Sequence, residues 1–150
     1  GGSDKIISSG EILPDSFVII AHEDNEALLS PYGSFIGLSS FSLVNSGTRI
    51  TLKANDNKLM HHIDYDVSWY KNDVKAEGGW SLEQIDPNSY CSGDKNWASS
   101  ISIAGGTPGS KNSIDAINID NKSPRVDKVV VLSTVSLKVF FSKSMDTTLA

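Results

Sequence analysis

Alternation of apolar and polar residues at a period of two constrains this chain more than any other feature. Thr48-Arg49-Ile50-Thr51-Leu52-Lys53-Ala54 places Ile50 and Leu52 on one face of an extended segment and Thr51 and Lys53 on the other. Val135, Leu137, Val139 and Phe141 repeat that spacing within residues 134–142. Further strand-length runs lie at 16–22, 59–67, 80–85 and 128–133. Asn55-Asp56-Asn57-Lys58 supplies residues that tolerate left-handed backbone, so the runs on either side of it are expected to form a hairpin. Helical signal is confined to residues 25–33, which end on Pro31 and Gly33. Many short strands and almost no helix predict an all-β chain of the sandwich or barrel kind.

At 150 residues the length suits one domain, or one domain and part of a second. With 39 % apolar and 21 % charged residues, a packed core is expected and wholesale disorder is not. A formal net charge of −5, with Lys and Arg scattered along the chain, argues against nucleic acid as the main partner, because phosphate binding needs concentrated basic charge. The single cysteine, Cys91, cannot close an intrachain disulfide or build a thiolate zinc site. No apolar run approaches the ~20 residues of a membrane span, and no signal-peptide pattern is legible.

The densest stretch is residues 78–113, GGWSLEQIDPNSYCSGDKNWASSISIAGGTPGSKNS. Gly78 and Gly79 admit a tight bend, and Asp86-Pro87-Asn88 and Thr107-Pro108-Gly109 are turn signals. Trp80, Leu82 and Ile85 are expected to bury one face of a strand, with Cys91, Trp97, Ile101 and Ile103 covering the open end of the core. On this reading Gly79, Trp80, Leu82, Cys91, Trp97, Gly106, Pro108 and Gly109 form a structural clasp, a long coil pinned by aromatic anchors.

Catalytic constellations are weaker. His62, Asp64 and Asp66 share a polar strand face at about 6.6 Å spacing, which can hold a metal weakly or move a proton. A solvated strand face explains them as well, and His61 is expected to turn inward with Leu59, Ile63, Tyr65 and Val67. No serine lies in a Gly-x-Ser-x-Gly elbow, and Cys91 reads as a structural thiol. The Asp56 loop is too short for an EF-hand, and Gly-Gly-Thr-Pro-Gly lacks the ending of a phosphate loop. The three-residue step of strand and turn from Glu83 to Asp86 says nothing about the separation a glycosidase pair requires. No enzymatic activity, metal or cofactor is expected.

The order Gly78-Gly79-Trp80-Ser81-Leu82-Glu83, Cys91, Asn96-Trp97, Gly105-Gly106-Thr107-Pro108-Gly109 and Asn112-Ser113 resembles the lamin tail domain family in its bacterial form. Upstream, Leu13-Pro14, the Ser-Leu-Val-Asn-Ser-Gly turn at 42–47 and Ile63-Asp64-Tyr65 extend the likeness over residues 10–113. The resemblance implies an immunoglobulin-like β-sandwich without catalytic residues, serving as a binding or spacer module of an exported, surface-associated bacterial protein. The alternative is an accessory domain that positions a neighbouring nuclease or hydrolase on its polymer, which calls for a basic, aromatic groove around Lys95, Trp97, Lys111 and Lys122. The family's opening strands, with Asn-Glu and Phe-Val-Glu-Leu patterns, have no counterpart here. Residues 124–149 resemble the start of a bacterial immunoglobulin-like domain, through Pro124-Arg125-Val126-Asp127 and a Phe141-Ser142-x-x-Met145-Asp146 ending.

The expected organisation is therefore a lamin tail-like sandwich over 4–113, a polar linker over 114–123, and a strand pair over 124–150. That pair either starts a second immunoglobulin-like domain or completes the first. Recognition is expected on the solvent side of the clasp, at Tyr90, Lys95 and Trp97, because binding residues on a sandwich gather in loops. Expected partners are a protein or a surface polysaccharide outside the cell, with no membrane insertion. Open edge strands invite a homodimer.

Overall fold

The computed structural model describes residues 5–7, 10–89, 92–119 and 121–143. Strands predominate among them and come as four two-stranded pairs. In the first, β1 (Ile19–His22) runs parallel to β2 (Phe35–Leu38), with Ile19 beside Phe35 and His22 beside Leu38. Parallel neighbours need a crossover of about a dozen residues. Residues 23–34 supply it as two 3₁₀ turns around the short helix α1 (Glu26–Leu29), ending at Gly33. The helical signal at 25–33 is thus realised, while β2 carried no clear alternation to announce it.

The expected hairpin forms between β3 (Gly47–Lys53) and β4 (Leu59–Asp66), with Ile50 opposite Ile63 and Thr51 opposite His62. Its turn closes through Ala54 N–H to the Lys58 carbonyl at 2.9 Å, with Asn57 left-handed at φ 65°. After β4 the Asp66 carboxylate accepts from Ser68 N–H and starts a 3₁₀ turn, Val67–Tyr70. Asn72 then caps helix α2 (Asp73–Ala76) by accepting from Lys75 N–H. β5 (Leu82–Gln84) pairs antiparallel with β6 (Trp97–Ser99), and β7 (Val126–Ser133) with β8 (Ser136–Phe141).

The apolar core expected from composition is not found among the described residues. No apolar side chain there is buried; the buried side chains are Glu83, Asn96, Ser99 and Ser100. Ile101 and Ile103, expected to cover the end of a core, are 65 % and 102 % exposed. His61, expected to turn inward, is exposed as well. The physical reason is the pairing itself: each apolar face belongs to a sheet only two strands wide, and such sheets lack the area to enclose one another. The chain exposes 11,382 Å², roughly 1.5 times the ~7,400 Å² expected of a folded monomer of this mass. No helix among the described residues is long and apolar enough to cross a membrane.

Candidate functional site

Among the described residues the buried side chains are polar, and one group of them centres on Glu83. Strand alternation turns Glu83 away from its neighbours Leu82 and Gln84, and its side chain is only 3 % exposed. Oε1 accepts from Thr107 Oγ1 at 2.8 Å and from Ser81 Oγ at 3.2 Å. Oε2 accepts from Ser113 N–H at 2.8 Å and from Ser113 Oγ at 2.7 Å. Ser113 Oγ also accepts from Ile101 N–H and lies 2.9 Å from Ser100 Oγ. Since the Ser113 proton goes to Glu83, the Ser100 hydroxyl donates to Ser113, and in turn accepts from Ser102 N–H. A chain of hydrogen bonds thus runs from Ser102 through Ser100 and Ser113 to the carboxylate, each bond polarising the next.

All four donors on Glu83 are uncharged. Burial works to raise its pKa; the hydrogen bonds led by those from Ser113 and Thr107 outweigh it, so the carboxyl titrates below its ordinary value. With both oxygens doubly engaged, the group has no accessible lone pair for a proton in flight. This is the geometry of a lock.

A second polar knot adjoins it. Asn96, 1 % exposed, accepts through Oδ1 from Asp86 N–H and from Asn118 Nδ2, each at 2.9 Å. Its Nδ2 donates to the carbonyls of Asp86 at 2.6 Å and Ser89 at 3.1 Å. The Asp86 carboxylate accepts from the backbone N–H of Asn118 and of Asn88, and these bonds lower its pKa. Asn112 Nδ2 donates to the Gln84 carbonyl, and Ala116 N–H to that of Ile85. Residues 112–118 are therefore a strap tied along β5, including the beginning of the segment expected as a linker.

The aromatic residues frame this locus from one side. Lys75 Nζ lies 4.1 Å from the centre of the Trp80 ring and donates to the Ser100 carbonyl at 2.5 Å. Tyr70 OH donates to the Trp80 carbonyl at 3.1 Å. Trp97 meets Trp69, with ring centres 6.2 Å apart. Of the clasp residues, Trp80, Leu82 and Trp97 are half-buried here, and Gly106 lies against Ser81. Gly109 has φ 67°, and a Cβ on it would strike the Tyr32 carbonyl oxygen, tying the 105–109 turn to the β1–β2 crossover. Gly105, with φ 84°, packs as closely on the Gly79 carbonyl. Pro108 is exposed. Cys91 and Tyr90 lie outside the described residues. Of the expected recognition surface, Lys95 is exposed and Trp97 is turned partly toward Trp69.

The role of the residues that hold this locus together was not legible in the sequence. Asn96, Ser100, Ser113, Asn118 and Lys75 carry the bonds, and they are residue types that loops contain in any case. Trp69-Tyr70 followed by the capping Asn72 was the available signal for the aromatic side.

The second constellation, on β4, is engaged in fold contacts. Arg49 grips Asp64 with two bonds, at 2.6 and 2.7 Å, and this hydrogen bonding is the main cause that lowers the Asp64 pKa. Asp66 caps the following turn, and its hydrogen bonds with Ser68 lower its pKa. Among the described residues no three His, Cys, Asp or Glu side chains are grouped to hold a metal ion. Compared with known proteins, the chain matches no family model, no curated protein and no solved structure.

Proposed function

We propose that this chain is a non-catalytic binding or spacer module of an exported, surface-associated bacterial protein, built on an immunoglobulin-like sandwich of the lamin tail kind. One observation carries the reading. The acidic groups that chemistry would need are committed to the fold: Glu83 to four donors, Asp86 to the strap, Asp64 to Arg49 and Asp66 to a turn. The predominance of strands is consistent with the finer fold, and the motif order of 78–113 supports the family.

The accessory-domain alternative draws on a basic, aromatic groove. Lys111 pairs with Asp115 at 2.7 Å and Trp97 packs against Trp69, which weighs toward the first reading. The test is retention of the purified chain on separated envelope proteins, capsular polysaccharide and DNA, at low and moderate salt. Saturable retention on one envelope protein or polysaccharide that survives moderate salt supports a recognition module. Retention on DNA alone, vanishing with salt, favours the accessory role. Hydrolysis of any of these polymers, lost in Asp64→Asn, overturns the proposal.

A further inference from the structure

We infer that the β7–β8 hairpin is a self-association surface, whose apolar face packs on the same face of a second copy of this chain about a two-fold axis. The register places three apolar pairs side by side: Val126 with Phe141, Val129 with Val139, and Val131 with Leu137. These six side chains are between 36 % and 75 % exposed. The hairpin's lysines sit at the alternate positions. Lys128 stands opposite Phe140, and Lys138 opposite Val130, with the Lys138 ammonium 5.0 Å from the Phe140 ring. The two lysines therefore stand on the face opposite these apolar pairs, and Asp127, at the register shift between Val126 and Lys128, is paired with Arg125 at 3.1 Å.

A two-stranded hairpin is marginal in water unless its apolar face is covered. The exposed part of the six side chains amounts to on the order of 500 Å² per copy, so two copies face to face bury on the order of 1,000 Å², the threshold for a specific interface. A second copy suits this face for two reasons. With the lysines on the opposite face and Asp127 neutralised by Arg125, its apolar rows offer little by which an oppositely charged partner would be chosen, and little that repels their own kind. Paired rows of similar side chains also complement themselves under two-fold rotation. Stacked about 10 Å apart, two such hairpins form a four-stranded, two-layer unit with a dry interior. This contact is through faces, distinct from pairing through open edges, and it holds whatever further partner the module binds.

The test is sedimentation equilibrium and light scattering of the full chain between about 1 and 100 μM, the range in which an interface near the size threshold dissociates. The expected result is a dimer. Val131→Lys and Leu137→Lys should each raise its dissociation constant by about a hundredfold or more, because a lysine there is buried without a partner. Lys138→Glu, on the other face, should leave it unchanged. Val131 and Leu137 are 75 % and 60 % exposed, so both variants should keep the wild-type far-ultraviolet spectrum. A chain that stays monomeric at the highest concentration overturns the inference. So does a dimer that survives both lysine variants.

Discussion

Glu83→Ala strips an acceptor from four donors at once and leaves them facing a void. It should cost about 3 kcal/mol or more in chemical denaturation. Glu83→Gln should recover part of that, because its amide oxygen still takes the Ser113 pair while the hydroxyls of Ser81 and Thr107 rotate to accept from the amide nitrogen. The sign of the pH effect follows from a folded pKa held below the unfolded one. The stabilisation is present above the unfolded value of about 4.3 and is lost as pH falls through the folded value. An acid titration of stability should therefore show a steeper limb in the wild type than in Glu83→Gln. Gly105→Ala tests a different constraint: a side chain at φ 84°, pressed on the Gly79 carbonyl, should cost about 2 kcal/mol or more.

The elements differ in what holds them. β5, β6 and the strap are cross-tied by side chains, whereas β7 and β8 rely on their own ladder. In hydrogen exchange under conditions where the chain is monomeric, the amides of Ser113, Ala116 and Asn118 should exchange about a hundredfold slower than those of the hairpin. Asn96→Ala should remove that protection, since one amide side chain joins Asp86, Ser89 and Asn118. The β3–β4 hairpin was legible because alternation and an Asn-rich turn are local signals, and residues 128–133 and 134–142 were legible on the same grounds. β2, β6 and α2 were not. β2 and β6 are 4 and 3 residues long, too short to establish a period, and α2 is a single turn set by its Asn72 cap.

For the whole molecule, surface is the telling quantity. Folding buries about half the surface of the extended chain, against about 68–70 % for an ordinary domain of this length. The urea m-value of the monomer should accordingly be about three-quarters of that expected for 150 residues. The β character and the main hairpin were settled by the sequence alone, because φ/ψ preference and period-two alternation act within a few residues. The identity of the buried site was not. Glu83 sits in a short strand, Asn96, Ser100 and Ser113 in turns or loops, and the bonds that residues 107–118 bring across β5 enclose them. Burial and hydrogen-bond satisfaction depend on what the chain brings from ~10–30 residues away, so tertiary structure decided that the buried side chains among the described residues are Glu83, Asn96, Ser99 and Ser100 and not an apolar core.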